Sequence, residues 1–148
     1  MAWIRAMGAP DNVLKIYDKG SWGVAYENPG SYAYPGISVN AAALNVDNIQ
    51  LNSISNGIRA IGTTNVIDFT GKTLLKIRSK STAANLVVNI LPNKSDISNP
   101  IKTTTIPASA DYVEYVIDVS AINGSYYVVL WTLTAGGQVS YVESVTLE

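Results

Sequence analysis

An all-β chain, folded as an antiparallel two-sheet β-sandwich of jelly-roll type, is predicted by three features of this 148-residue sequence. Apolar residues recur with period two along most of its length. Turn signals bearing Gly, Asn or Pro separate the alternating runs. No segment offers a sustained apolar stripe at helical spacing behind a capping residue. Roughly seven to nine strands in one chain must bury their apolar faces against one another, and two packed sheets accomplish this.

The opening residues 1–12 read as an N-terminal arm or linker, apolar, with Trp3 and Ile4 and a Gly-Ala-Pro end; residues 13–148 form the sandwich domain. The opening strand carries Ile16, Tyr17 and Asp18. The stretch Gly20 to Gly36 places Trp22, Tyr26, Tyr32 and Tyr34 among four Gly and two Pro, a composition of loop rather than strand. Further on, Ile67 and Phe69 alternate with Val66 and Asp68, and Leu75 and Ile77 with Lys76 and Arg78. Leu86, Val88 and Ile90 alternate with Val87, Asn89 and Leu91. Val113, Tyr115, Ile117 and Val119 alternate with Tyr112, Glu114, Val116 and Asp118, with the odd positions expected inward. Tyr126 to Trp131 is apolar on both parities, as a central strand covered on both faces would be. Near the end Tyr141, Val145 and Leu147 share the inward parity, with Ser144 and Thr146 on the other. Thr70-Gly71-Lys72, Asn123-Gly124-Ser125 and Ala135-Gly136-Gly137 are turn signals, Lys94 to Pro100 a longer loop and Pro107 to Ala110 a shorter one.

Composition excludes several classes of function. With no Cys there is no disulfide, thiolate zinc site or cysteine nucleophile, and with no His there is no imidazole base or Ser-His-Asp triad. Ten Lys and Arg against 11 Asp and Glu leave no basic excess for phosphates, so nucleic acid is not an expected partner. The longest apolar run, Tyr126 to Trp131, falls far short of the ~18 residues of a membrane span, and residues 1–10 lack the apolar core of a secretory signal. No membrane partner is expected. Charged residues make up 14% of the chain, well below the ~25% of an average domain. Such a surface lacks the repulsion that keeps copies apart, so a homo-oligomer is expected; the alternative is an ordinary β-protein whose outer faces use Ser, Thr and Asn.

The successions Ile67-Asp68-Phe69-Thr70-Gly71-Lys72-Thr73-Leu74-Leu75-Lys76-Ile77, Tyr115-Val116-Ile117-Asp118-Val119-Ser120, Asn123-Gly124-Ser125-Tyr126-Tyr127-Val128 and Val142-Glu143-Ser144-Val145-Thr146-Leu147-Glu148 carry a resemblance. The chain resembles the small jelly-roll modules of structural and tail proteins of phages infecting Gram-positive bacteria, modules similar in architecture to galactose-binding-like carbohydrate modules. The opening Ile16-Tyr17-Asp18-Lys19-Gly20 is similar to the start of that module. The resemblance implies a non-enzymatic virion protein, a capsid decoration, head fibre or tail component, located in the virion. Its partners would be other copies of itself, other virion proteins and host-surface polysaccharide. The alternative function is a carbohydrate-binding module recognising cell-wall or other polysaccharide.

Three sets of residues are candidates for this work. Trp22, Tyr26, Tyr32 and Tyr34 offer flat faces to sugar C–H groups, while Asn28, Glu27 and Asn40 offer hydroxyl partners; the same rings equally suit subunit packing. Trp3 and Ile4 on the arm are candidates for assembly contacts. Glu143 falls at an inward parity, where a bare carboxylate is costly; either a bulge turns it outward, or a cation or donor pairs with it. The resemblance also makes Glu143, with Asp18, a candidate for a structural calcium, although calcium wants roughly six to eight oxygens. No other cofactor and no catalytic residue is expected. Trp131 and Tyr127 are read as core.

Overall fold

Period-two patterning becomes fourteen strand segments in a computed structural model, which describes residues 13–24, 26–27, 38–41, 43–52, 57–83, 86–94, 96, 98–132 and 138–148. Of residues 26–27, 38–41, 43–44 and 57–59 only the backbone is described. The described residues contain no helix. The strands lie in two seven-stranded sheets, antiparallel throughout except for one parallel pair, so the expected all-β sandwich of jelly-roll type is the fold observed.

The first sheet is organised around its last strand, β14 (Val139–Leu147). One edge of β14 pairs along its length with β9 (Leu74–Ser81), which in turn pairs with β12 (Ser109–Asp118). Its other edge is shared end to end: β6 (Ile49–Asn52) takes residues 139–142 and β1 (Leu14–Asp18) takes residues 144–147. Two short segments finish this sheet, β2 (Ser21–Trp22) on β1 and β5 (Ala43–Leu44) on β6.

The second sheet runs β11 (Lys102–Ile106), β10 (Leu86–Leu91), β13 (Ser125–Thr132), β7 (Gly57–Thr63) and β3 (Tyr26–Glu27). In it β8 (Ile67–Asp68) pairs with the first residues of β13, and β4 (Ser38–Ala41) pairs parallel to β7. Tyr26 and Glu27 therefore belong to a strand, as does Trp22. The Gly20 to Gly36 stretch is not loop throughout, as its composition suggested, because two-residue pairings tolerate flanking Gly and Pro.

The core forms where the inward parities of the two sheets meet. Leu75 and Ile77 of β9, Val142, Val145 and Leu147 of β14, Leu86, Val88 and Ile90 of β10, and Val128 and Leu130 of β13 are all buried in one cluster with Ile49, Leu51 and Phe69. Strands β10 and β13 are central and covered on both sides. On the reverse face Leu91, Val129 and Ala60 make a second, smaller buried cluster, against which Tyr127 and Trp131 pack while half-buried. The pair expected in the main core thus lies on the opposite face of the same strand, because Val128 and Leu130 occupy the inward parity.

Two bulges decide which side chains face outward. In β14 Val142 sits opposite Ser79 but Ser144 sits opposite Arg78, so Glu143 is an extra residue that slips the parity. Ser140 and Val142 are buried before it, Val145 and Leu147 after it. Tyr141, expected inward with Val145 and Leu147, lies half-buried on the parity opposite Val142. A second irregularity between Lys15 and Tyr17 in β1 lets both Ile16 and Tyr17 be buried. On β12, Ile117 and Val119 are buried as expected, whereas Val113 is 40% exposed because β12 is the outermost strand of its sheet.

Three turns repeat one device, an Asp whose carboxylate accepts from the residue two positions on. Asp68 accepts from the Thr70 N–H at 2.9 Å, Asp118 from the Ser120 N–H at 2.9 Å and hydroxyl at 2.6 Å, and Asp96 from the Ser98 N–H at 3.0 Å and the Asn99 amide at 2.9 Å. These bonds hold all three carboxyls below the usual carboxylate range, through Thr70 for Asp68 and through the Ser120 and Ser98 hydroxyls foremost for Asp118 and Asp96. A carboxyl lowered in the folded state contributes stability above its unfolded pKa of ~3.9 and loses it as pH falls through the folded value. The melting temperature is therefore expected to fall steadily from about pH 4 downward, and an Asp68→Asn, Asp118→Asn double variant to fall less steeply. Parallel slopes for the two proteins would show that the turns contribute nothing to acid sensitivity.

Candidate functional site

The alternation that sends Leu75, Ile77, Ser79 and Ser81 into the core sends Lys76, Arg78 and Lys80 to the outer face of the first sheet. Cross-strand register then surrounds this row. Val116 and Thr146 sit opposite Lys76, Glu114 and Ser144 opposite Arg78, and Tyr141 opposite Lys80. Lys76 pairs with Glu148 at 2.5 Å, and the Arg78 Nε donates to Glu143 Oε2 at 2.5 Å. The Lys80 ammonium is held by rings instead, 4.8 Å from the centroid of Tyr112 and 5.3 Å from that of Tyr141. Arg78 also approaches Tyr112, at 5.8 Å.

Burial, chiefly, pushes the Tyr112 hydroxyl above its ordinary range, and the carboxylates of Glu143 and Asp47 add to this, while an Asn48 hydrogen bond acts in the opposite sense. Beside Lys80 and Tyr141 a cleft of about 470 Å³ opens over the ends of β9, β12 and β14, lined also by Thr82, Ser109 and Val139. Aromatic faces, fixed charges and a cleft of small-ligand size stand together here. None of these residues except Glu143 was a candidate from the sequence. The signal is Lys76, Arg78 and Lys80 at alternate positions, but plain parity sends Tyr141 inward and nothing in the sequence joins Tyr112 to them.

The sequence candidates are dispersed. Trp22 lies half-buried with its ring centroid 4.8 Å from that of fully buried Tyr17, packed against the core. Tyr26 is placed by its backbone alone, opposite Thr63. Asn28, Tyr32, Tyr34, Trp3 and Ile4 lie outside the described residues. For Glu143 both alternatives hold at once, since it occupies the bulge and pairs with Arg78. Asp18 is on the neighbouring strand, opposite Ser144, and its carboxylate lies 3.7 Å from the Lys15 ammonium. No group of three or more His, Cys, Asp or Glu gathers among the described residues. A calcium at Glu143 and Asp18 would have to draw most of its oxygens from other donors.

No protein-family profile matches the sequence, and no curated protein matches it. Solved structures do match. A family 29 carbohydrate-binding module in an Arg→Ala form shares 13% identity at a TM-score of 0.62, over 92% of this chain and 91% of that one. A Lys→Ala form of such a module, complexed with cellulohexaose, shares 14% identity at 0.61, over 90% and 88% of the two chains. An Asp→Ala form complexed with mannohexaose shares 13% at 0.61, over 90% and 89%. The fold is thus one seen in carbohydrate-binding modules.

This corrects the expectation of a phage virion structural protein: these structures, which share the architecture over 90–92% of the chain, are carbohydrate-binding modules, which favours the alternative. The physical reason lies in where the resembling motifs fall. Ile67 to Ile77 and Tyr115 to Ser120 form the strands and Asp turns of the sandwich frame. A frame of this kind is required by the fold whatever the domain attaches to.

Proposed function

We propose that this chain is a carbohydrate-binding module that holds polysaccharide on the outer face of its first sheet, against Tyr112, Tyr141, Lys80, Arg78 and Glu143. The observation that carries the reading is the Tyr112–Lys80–Tyr141 cluster, of which Lys80 and Tyr141 line the 470 Å³ cleft, on a fold shared with modules of that kind. Pyranose rings present apolar C–H faces to aromatic rings, and their hydroxyls take charge-assisted hydrogen bonds from Lys and Arg and give them to carboxylates. In the family 29 modules the substitutions made to probe ligand recognition fall on Arg, Lys, Asp and Tyr. Side chains of the same chemistry gather on this face.

Isothermal titration with cellohexaose and mannohexaose tests the reading. Tyr141→Ala is expected to weaken binding about ten-fold, the usual size of losing one aromatic anchor, with little change in melting temperature because the ring lies outside the core. Absence of binding to any neutral or acidic polysaccharide would sink it. Self-association, expected from the low charge, is a separate matter that sedimentation equilibrium decides.

A further inference from the structure

We propose that the cleft selects anionic glycan, with Lys80 as the residue that reads a uronate carboxylate. The inference rests on the polysaccharide-binding reading and narrows its ligand class. Three cations stand in a row on β9, and two are matched: Lys76 by Glu148 and Arg78 by Glu143. Lys80 pairs with no carboxylate among the described residues. Instead the two tyrosine rings hold its ammonium from two strands, Tyr112 on β12 and Tyr141 on β14, so the charge is positioned before a ligand arrives.

The cleft adjoins this ammonium, and among its described lining residues Lys80 is the one charged group; the remainder are Ala, Val, Tyr, Ser and Thr. The Ser and Thr hydroxyls there already donate to protein partners. Thr82 donates to Gln138, Ser81 to Ser140 and Ser109 to the Asp111 carbonyl. A neutral sugar in the cleft would leave the ammonium without an anion. A uronate carboxylate would complete it with a charge-assisted hydrogen bond beside two half-buried rings.

The test compares polygalacturonate with its carboxyl-reduced form, the same polymer without the charge, by isothermal titration at low and at physiological salt. Wild type is expected to favour the acid form about ten-fold, as one charge-assisted hydrogen bond allows. Lys80→Gln is expected to bring the two polymers to parity, lowering affinity for the acid form about ten-fold more than for the reduced form. Lys102→Gln, on edge strand β11 of the other sheet, is expected to keep the preference. Equal affinity of wild type for both polymers overturns the inference and leaves the polysaccharide reading standing. So does a preference that survives Lys80→Gln, or one that Lys102→Gln reduces as much. Failure of these polymers and of both neutral hexasaccharides to bind overturns the two readings together.

Discussion

Phe69→Ala is expected to remove about 3–5 kcal/mol of folding stability, a large part of the ~5–15 kcal/mol that holds a domain together. The Phe69 ring is completely buried and meets Tyr126 edge-on, with centroids 6.3 Å apart. It sits at the end of the sandwich where two turns are tied to one backbone unit. Its N–H donates to the Gly124 carbonyl at 2.9 Å, and its own carbonyl accepts from the Lys72 N–H at 2.9 Å. The Thr70 hydroxyl accepts from the Gly124 N–H at 3.1 Å and closes the junction. Backbone pinned on both sides cannot collapse into the space a ring leaves, so the cavity persists and the cost falls toward the upper end. Urea titration should show a lower midpoint with an unchanged slope. A loss under about 1 kcal/mol would mean that the two sheets do not close over this ring.

Gly20→Ala is the second large effect. Tyr17 pairs with Trp22 and Asp18 with Ser21, which leaves Lys19 and Gly20 as a two-residue hairpin loop, with φ of 44° and 86°. Positive φ at both central positions is the type I′ turn, whose twist matches that of the strands it joins. A side chain at Gly20 costs roughly 1–2 kcal/mol for the left-handed conformation alone. In addition its Cβ would stand 2.0 Å from the Val46 carbonyl oxygen, a backbone atom that a side-chain rotation cannot move away. The hairpin has to open, and with it the Tyr17–Trp22 ring contact and the Gly20 N–H bond to the Tyr17 hydroxyl. Gly71 is the matched control, because its φ of 77° is similar and nothing lies within 4 Å of the added carbon. Gly71→Ala should show the conformational cost only. Gly20→Ala should exceed it by at least about 2 kcal/mol and alter tryptophan fluorescence, given the contact in the range a bulky clash imposes. Equal melting temperatures for the two variants would contradict the close approach of residues 20 and 46.

Of the proposed binding face, the half that lies on one strand is legible in the sequence and the half that depends on neighbours is not. Lys76, Arg78 and Lys80 alternate with core residues on β9, so their outward direction follows from spacing. Tyr141 and Glu143 could not be placed by the same rule, since one bulged residue reverses every assignment on its far side. Parity counted back from Val145 and Leu147 sends Tyr141 inward; counted through the bulge it sends Tyr141 outward, beside Lys80. The aromatic weight of Gly20 to Gly36 drew attention to Trp22, whose ring the β1–β2 hairpin instead lays against Tyr17 and the core.

What the amino-acid order settled unaided was the class of structure and the functions it excludes. Alternation, turn residues and the lack of Cys and His are local or additive properties, and each acts through a single residue and its near neighbours in the chain. Tertiary structure alone decided which side chains meet on the face proposed to bind and what charge that face presents. Lys80 belongs to the cleft because β12 and β14 happen to flank β9, and its want of an anion appears only once Glu143 and Glu148 are seen to be taken by Arg78 and Lys76. Pairing between residues far apart in the chain is set by sheet register, and register is a property of the whole packed sandwich.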